Sequence, residues 1–95
     1  MQIKITKEDI QANIKQIEFV IHKSHGGQLL RWCVITTING FAVTGKPSCC
    51  VCPEEDIPSE GERIAYNNAE DELWTLLGYE LKTKIYQQNN TTEGK

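Results

Sequence analysis

The chain has 95 residues, a formal net charge of −3 and 24% charged residues, enough for one small domain with a single core. No apolar run approaches the roughly 20 residues of a membrane span, and no signal peptide is read at the N-terminus, so the expectation is a soluble, cytoplasmic protein. The charge is unevenly placed. Pro53 to Glu80 carries nine acidic residues against Arg63 alone, whereas the stretch before Pro53 has six basic and three acidic residues. Phosphates would be repelled by the acidic half, which argues against a nucleic-acid partner there.

Thr6 with Asp9 three residues on is an N-terminal signature and predicts a first helix from Lys7 to about Gln16, with Ile10, Ile14 and Ile17 facing inward. From Ile17 the pattern alternates, Ile17, Phe19 and Ile21 on one side and Glu18, Val20 and His22 on the other, as a strand requires. Ser24-His25-Gly26-Gly27 supplies turn chemistry. Leu29 to Thr37 is the richest β-segment. Leu29, Arg31, Cys33 and Ile35 share one face, and Leu30, Trp32, Val34 and Thr36 share the other. Both faces carry apolar residues, so this is read as a central strand covered at least in part on each side. Asn39-Gly40 marks a tight hairpin, and Phe41 to Gly45 the returning strand. Lys46 to Pro58, punctuated by three prolines, reads as a loop.

Ser59 followed by Glu62 reads as a capping box, with Pro58 just before it. Ala65, Ala69, Leu73 and Leu76 then recur at helical spacing, widened by Tyr66, Trp74 and Leu77. Gly78 stands where a left-handed residue would close the helix. Glu80 to Tyr86 is read as a second short helix on the four-residue spacing of Leu81 and Ile85. The whole is an α+β domain over 1–86: a short N-terminal helix, a three-stranded antiparallel meander, a long loop and a capped amphipathic helix packed on the sheet. Residues 87–95, without an apolar anchor, are expected to form a disordered polar tail. So small a core makes self-association a reasonable expectation.

Four cysteines and two histidines invite a metal reading, but the run is Cys-Cys-x-Cys, in which Cys49 and Cys52 are formally three apart only with Cys50 between them. No metal or other cofactor is expected, and Cys33, Cys49, Cys50 and Cys52 are read as free thiols in a reducing compartment. There is no nucleophile elbow, His-Glu-x-x-His or phosphate-binding glycine loop, so an enzyme is not expected. Binding is the favoured class. Arg31, Trp32, Phe41, Arg63 and Tyr66 combine aromatic rings with guanidinium groups, a set suited to stacking on a base and forking a phosphate. Arg31 is the sharpest of these, because a charge on an apolar strand face needs a partner, either an acidic residue such as Glu18 or a ligand. A second reading uses Glu70, Asp71 and Glu72 as an acidic helix face that docks a cationic protein surface.

Thr36-Thr37-Ile38-Asn39-Gly40-Phe41-Ala42-Val43-Thr44-Gly45, the Ser-Cys-Cys-Val-x-Pro run from Ser48 to Pro53, Glu60-Gly61-Glu62-Arg63-Ile64-Ala65-Tyr66 and Leu73-Trp74-Thr75-Leu76-Leu77-Gly78-Tyr79-Glu80-Leu81 follow one another in order. Over about Leu29 to Ile85 this resembles a family of small tailed-phage and prophage proteins named after a coliphage gene and gene sixty-six of a Shigella phage. The family's Gly-Glu-Ser-Ala-Cys-Val-Asp-Pro is one residue longer here, with Cys52 at the place of the Asp, and its Asn-Phe-Asp becomes Glu55-Asp56-Ile57. That family is similar to phage anti-Thoeris proteins, oligomers that sequester a cyclic ADP-ribose isomer made as an immune signal. The resemblance therefore implies a non-enzymatic phage counter-defence protein, a homo-oligomer, that binds a small nucleotide-like ligand such as a cyclic ADP-ribose isomer or a cyclic oligonucleotide. The alternative it leaves is a protein–protein inhibitor of a host defence component, for example a CRISPR effector, acting through the acidic helix face.

Overall fold

The structure is a computed structural model that describes residues 4–93, with side chains described through residue 89. The chain runs α1 (Lys7–Ala12), β1 (Ile14–Lys23), β2 (Leu29–Thr37), β3 (Ala42–Thr44), β4 (Ser48–Cys50), a 3₁₀ turn (Pro53–Glu55) and α2 (Pro58–Glu93). It is the expected α+β arrangement: a meander β1-β2-β3 with the long helix packed on it. No helix among the described residues is long and apolar enough to cross a membrane.

Capping at Thr6 sets the start of α1. The Asp9 carboxylate accepts from the Thr6 N–H at 2.9 Å, and the Thr6 hydroxyl accepts from the Asp9 N–H at 3.2 Å. The helix ends at Ala12, earlier than the expected Gln16. Asn13 caps it, its Nδ2 donating to Asp9 O at 2.9 Å. β-Branched Ile14 and Ile17 belong to the strand instead, where their stiff χ1 is favoured; of the three isoleucines expected inside, only Ile10 is fully buried.

β2 is the central strand. β1 pairs along one edge, Lys23 opposite Leu29 through Gln16 opposite Thr36, with a bulge near Lys15. The other edge is shared. β3 takes its Val34–Thr36 end and β4 its Leu29–Arg31 end. β4 corrects the reading of 46–58 as a plain loop: three residues between Pro47 and Pro53 are too few to show a period, yet their backbone completes the β2 ladder.

One layer of core lies between β2 and α2, formed by Cys33, Ile35, Ala65, Ala69, Leu73 and Leu77 with Ile10 of α1 beside them. Alanines at 65 and 69 let the helix sit close to the sheet. At Gly45 the approach is closest, since a Cβ there would overlap the Asn68 carbonyl. Leu30, Trp32, Val34 and Thr36 lie on the opposite face and remain only half-buried, so β2 is fully covered on one side alone.

Both ends of α2 differ from expectation. Pro58 occupies the first helical position, which suits its fixed φ and missing N–H, and the Ile57 carbonyl accepts from the Glu60 and Gly61 N–H groups. Ser59 is therefore inside the first turn and not the cap. The helix also passes straight through Gly78. One glycine inside a helix costs only about 1 kcal/mol, and the Glu-Leu-Lys residues after it are good helix formers. Glu80 to Tyr86 is thus the same helix, not a second one, and residues 87–93 of the expected tail continue it; 94 and 95 lie outside the described residues. At 1.5 Å per residue, 36 residues make a rod of about 54 Å, which gives the molecule its 64 Å long dimension.

Candidate functional site

The β2–β3 hairpin is built on the Asn39 side chain. Its Oδ1 lies 2.7 Å from Thr37 Oγ1 and accepts from the Phe41 N–H at 3.0 Å, while Thr37 N–H donates to Phe41 O at 2.8 Å. Gly40 adopts φ +91°, the left-handed conformation that a side chain resists. Ile38 N–H donates to Asn13 O at 3.0 Å and ties the turn to the end of α1. The result is a rigid backbone holding the Phe41 ring at the surface, 55% exposed.

Beside that ring is a pocket of about 230 Å³, lined by Asn13, Thr37, Asn39, Phe41, Leu76, Leu77 and Glu80. Its polar groups are oriented by their other bonds. Asn39 Oδ1 is engaged within the turn, so its NH₂ is the donor left for a ligand; Asn13 Nδ2 is engaged with Asp9 O, so its Oδ1 is the acceptor left. Glu80 adds a carboxylate. Across Phe41 and Leu76 a more open groove of about 500 Å³ runs between β3 and α2 past Glu72, Thr75 and the well-exposed Tyr79. On the α1 side a smaller one of about 140 Å³ shares Asn13, Leu77 and Glu80 and reaches Lys84. An aromatic surface with a few convergent polar groups is the usual make-up of a small-ligand site.

Of the five residues expected to bind a ligand, only Phe41 lines this pocket. Arg31 is buried, 4% exposed, on the α2-facing side of β2. Its partner is Asp56, not Glu18: Nη1 and Nη2 donate to Oδ1 and Oδ2 at 3.1 and 3.0 Å. That hydrogen bonding, against the cost of burial, raises Arg31 and holds Asp56 below the ordinary carboxylate range. Arg31 Nε is buried without a hydrogen-bond partner among the described residues. The cleft beside it, about 180 Å³, is lined by Glu55, Asp56 and Glu60, which would oppose a phosphate. Trp32, next in sequence, necessarily points to the other face of the sheet, opposite Val20. Arg63 is exposed and paired with Glu60 at 2.9 Å.

Tyr66 faces inward, its hydroxyl donating to Glu70 at 2.9 Å; burial and that bond push it up to about 12. Glu70 is itself buried and bound by Lys7 Nζ at 2.8 and 2.9 Å. Burial pushes its carboxyl up, but the bonds from Lys7 and Tyr66 outweigh this and hold it low. Glu70 thus serves as an internal tie between α1 and α2, and the acidic helix face retains only Asp71 and Glu72 as exposed members. Cys33 is buried, Cys50 half-buried, and Cys49 and Cys52 exposed, all four as free thiols.

The residues missed by sequence reasoning are Asn13, Asn39, Tyr79, Glu80 and Lys84. Asn39 carried a signal, as half of a turn dipeptide. The three helical residues do not read as a group in a sequence where Gly78 marks the expected helix end.

Among known proteins, the family model for the phage protein (N4 Gp49/phage Sf6 gene 66) family matches residues 5–85. No curated protein and no solved structure matches significantly.

Proposed function

Because this chain belongs to the N4 Gp49/Sf6 gene 66 family of phage proteins, we propose that it is a non-enzymatic counter-defence protein that sequesters a nucleotide-derived immune signal, held at the Phe41 pocket and not beside Arg31. The observation that carries this is the Phe41 ring, fixed by the Asn39 turn and more than half exposed at the mouth of a pocket with oriented polar groups. A base stacked on such a ring gains about 1–3 kcal/mol. The Asn39 NH₂ suits an acceptor on the heterocycle, and the Glu80 carboxylate suits the hydroxyls of a ribose. No cation lines the pocket among the described residues, so it takes the nucleoside part. Lys84, one helical turn beyond Glu80, is the group within reach of an attached phosphate.

Sequestration needs no chemistry. An abundant protein with affinity at or below the micromolar range, about −8 kcal/mol, lowers the free messenger by mass action. The test is equilibrium dialysis of the purified protein against cyclic ADP-ribose isomers and cyclic oligonucleotides, followed by chromatography of what the protein retains. Retention of one of them, recovered chemically unchanged, is expected. Retention of none overturns the proposal, and recovery of a converted product replaces it with an enzyme.

A further inference from the structure

β1 is ten residues long and pairs with β2 along one edge; along the other it pairs with no strand among the described residues. Long edge strands are normally shortened, bulged or charged to prevent pairing with another chain. This one is bulged only near Lys15 and, Glu18 apart, is apolar from Ile17 to Ile21, with Val20 51% and Ile21 55% exposed. The direction of its free hydrogen-bonding groups follows from the hairpin. Ser24 N–H donates to Gln28 O, and the register runs unbroken back to Gln16 opposite Thr36. Even-numbered residues therefore turn their N–H and C=O towards β2. Ile17, Phe19, Ile21 and Lys23 turn theirs to the open edge.

We infer that the occupant of this edge is a second copy of the same chain, pairing β1 antiparallel to β1 about a two-fold axis at Val20. A two-fold contact presents the same strand to itself, so its register must be self-complementary. Centring on Val20 meets that condition. It sets Val20 against Val20 of the partner subunit, Phe19 against the partner's Ile21 and Glu18 against the partner's His22, so that two carboxylate–imidazole pairs form, one on each side of the axis. The outward N–H and C=O groups of Ile17, Phe19, Ile21 and Lys23 find partners in the same register. Centring on Glu18 would oppose two carboxylates. Centring on Phe19 or Ile21 leaves Glu18 facing Val20 or Ser24. The joined sheets would continue across the axis, with both α2 helices on one side. This inference is independent of the ligand reading above.

Light scattering with size-exclusion chromatography over a concentration series, on the wild-type chain and three variants, tests it. The wild type is expected at twice its 10.8 kDa monomer mass. Ile21→Pro removes an outward N–H and leaves the β1–β2 ladder intact, so it is expected to be monomeric with an unchanged far-ultraviolet circular dichroism spectrum. Glu18→Lys, at an exposed position that does not threaten the fold, is expected to weaken the dimer about tenfold or more, and Glu18→Lys with His22→Glu to restore it. A monomeric wild type overturns the inference. So does a dimer indifferent to Glu18→Lys, whether or not Ile21→Pro folds.

Discussion

The guanidinium of Arg31 and the carboxylate of Asp56 meet fork to fork, 25 residues apart in sequence, and clasp the central strand to the segment that leads into α2. Gly61, in the first turn of that helix, lies so close that a Cβ would overlap Arg31 Nη1. Removing one partner of such a buried pair strands the other charge. Asp56→Ala is therefore expected to lower the melting temperature by about 10 °C or more. Gly61→Ala is expected to be destabilising in the wild type and much less so in an Arg31→Met background, because the pinned guanidinium is what leaves no room. Differential scanning calorimetry of Asp56→Ala and of the four chains in the Gly61/Arg31 cycle checks both statements.

Gly45 gives a second, independent packing test. The atom in the way of a side chain there is the backbone carbonyl of Asn68, which is part of α2 and cannot swing aside; Asn68 Nδ2 also donates to Lys46 O at 2.9 Å across the same contact. Gly45→Ala is expected to cost about 2–3 kcal/mol, read as a shift of the urea midpoint at unchanged slope.

Stability should fall at both ends of the pH scale for identifiable reasons. Asp56 and Glu70 are held low in the folded protein, so their contribution is present above the ordinary carboxylate range and is lost as pH falls through their folded values. Tyr66 and Cys33 shift the other way. Burial, with the Glu70 bond in the case of Tyr66, pushes Tyr66 up to about 12 and burial pushes Cys33 up to about 11. Their contribution is complete below their ordinary values of 10.0 and 9.0 and is lost as pH rises through the folded ones. A phenolate titration at 295 nm is expected to show a late phase that is absent in Tyr66→Phe. A thiol reagent at neutral pH is expected to modify Cys49 and Cys52 readily and to spare Cys33 until the protein unfolds.

Much of the fold was legible because its signals are local. The Thr6–Asp9 cap, the alternation along β1 and β2 and the Asn39-Gly40 turn each lie within a few residues. Some local signals mislead, as at Ser59 and Gly78, and the rest of what was not legible depends on distant parts. The β4 strand exists only because Leu29–Arg31 offers it an edge. Glu70 belongs to a charge run by sequence, yet Lys7, 63 residues away, draws it inside. Arg31 was correctly read as needing a partner, but Asp56 is brought to it by the turn at Pro53–Glu55, which no periodicity announces. The candidate site follows the same rule: Phe41 is legible as an aromatic residue opening the returning strand, whereas Glu80 joins its pocket, and Lys84 the adjoining one, only through the length of α2.

That length has its own test. Leu77 is the last buried residue of α2 among those whose side chains are described, so ending the chain after Tyr86 removes helix without touching the described core. The truncated protein is expected to lose ellipticity at 222 nm per molecule while keeping its melting temperature. An unchanged signal per molecule would show that the removed residues are not helical in solution.

The central claim is that the Phe41 ring is the stacking surface of a nucleotide site. Its most direct measurement is isothermal titration of the wild type and Phe41→Ala with the ligand retained in dialysis. The claim predicts a saturable heat for the wild type and affinity weakened about tenfold or more in Phe41→Ala, an exposed position at which the fold is preserved. Equal affinity in the two proteins, or a loss that follows Arg63→Ala instead, would contradict it.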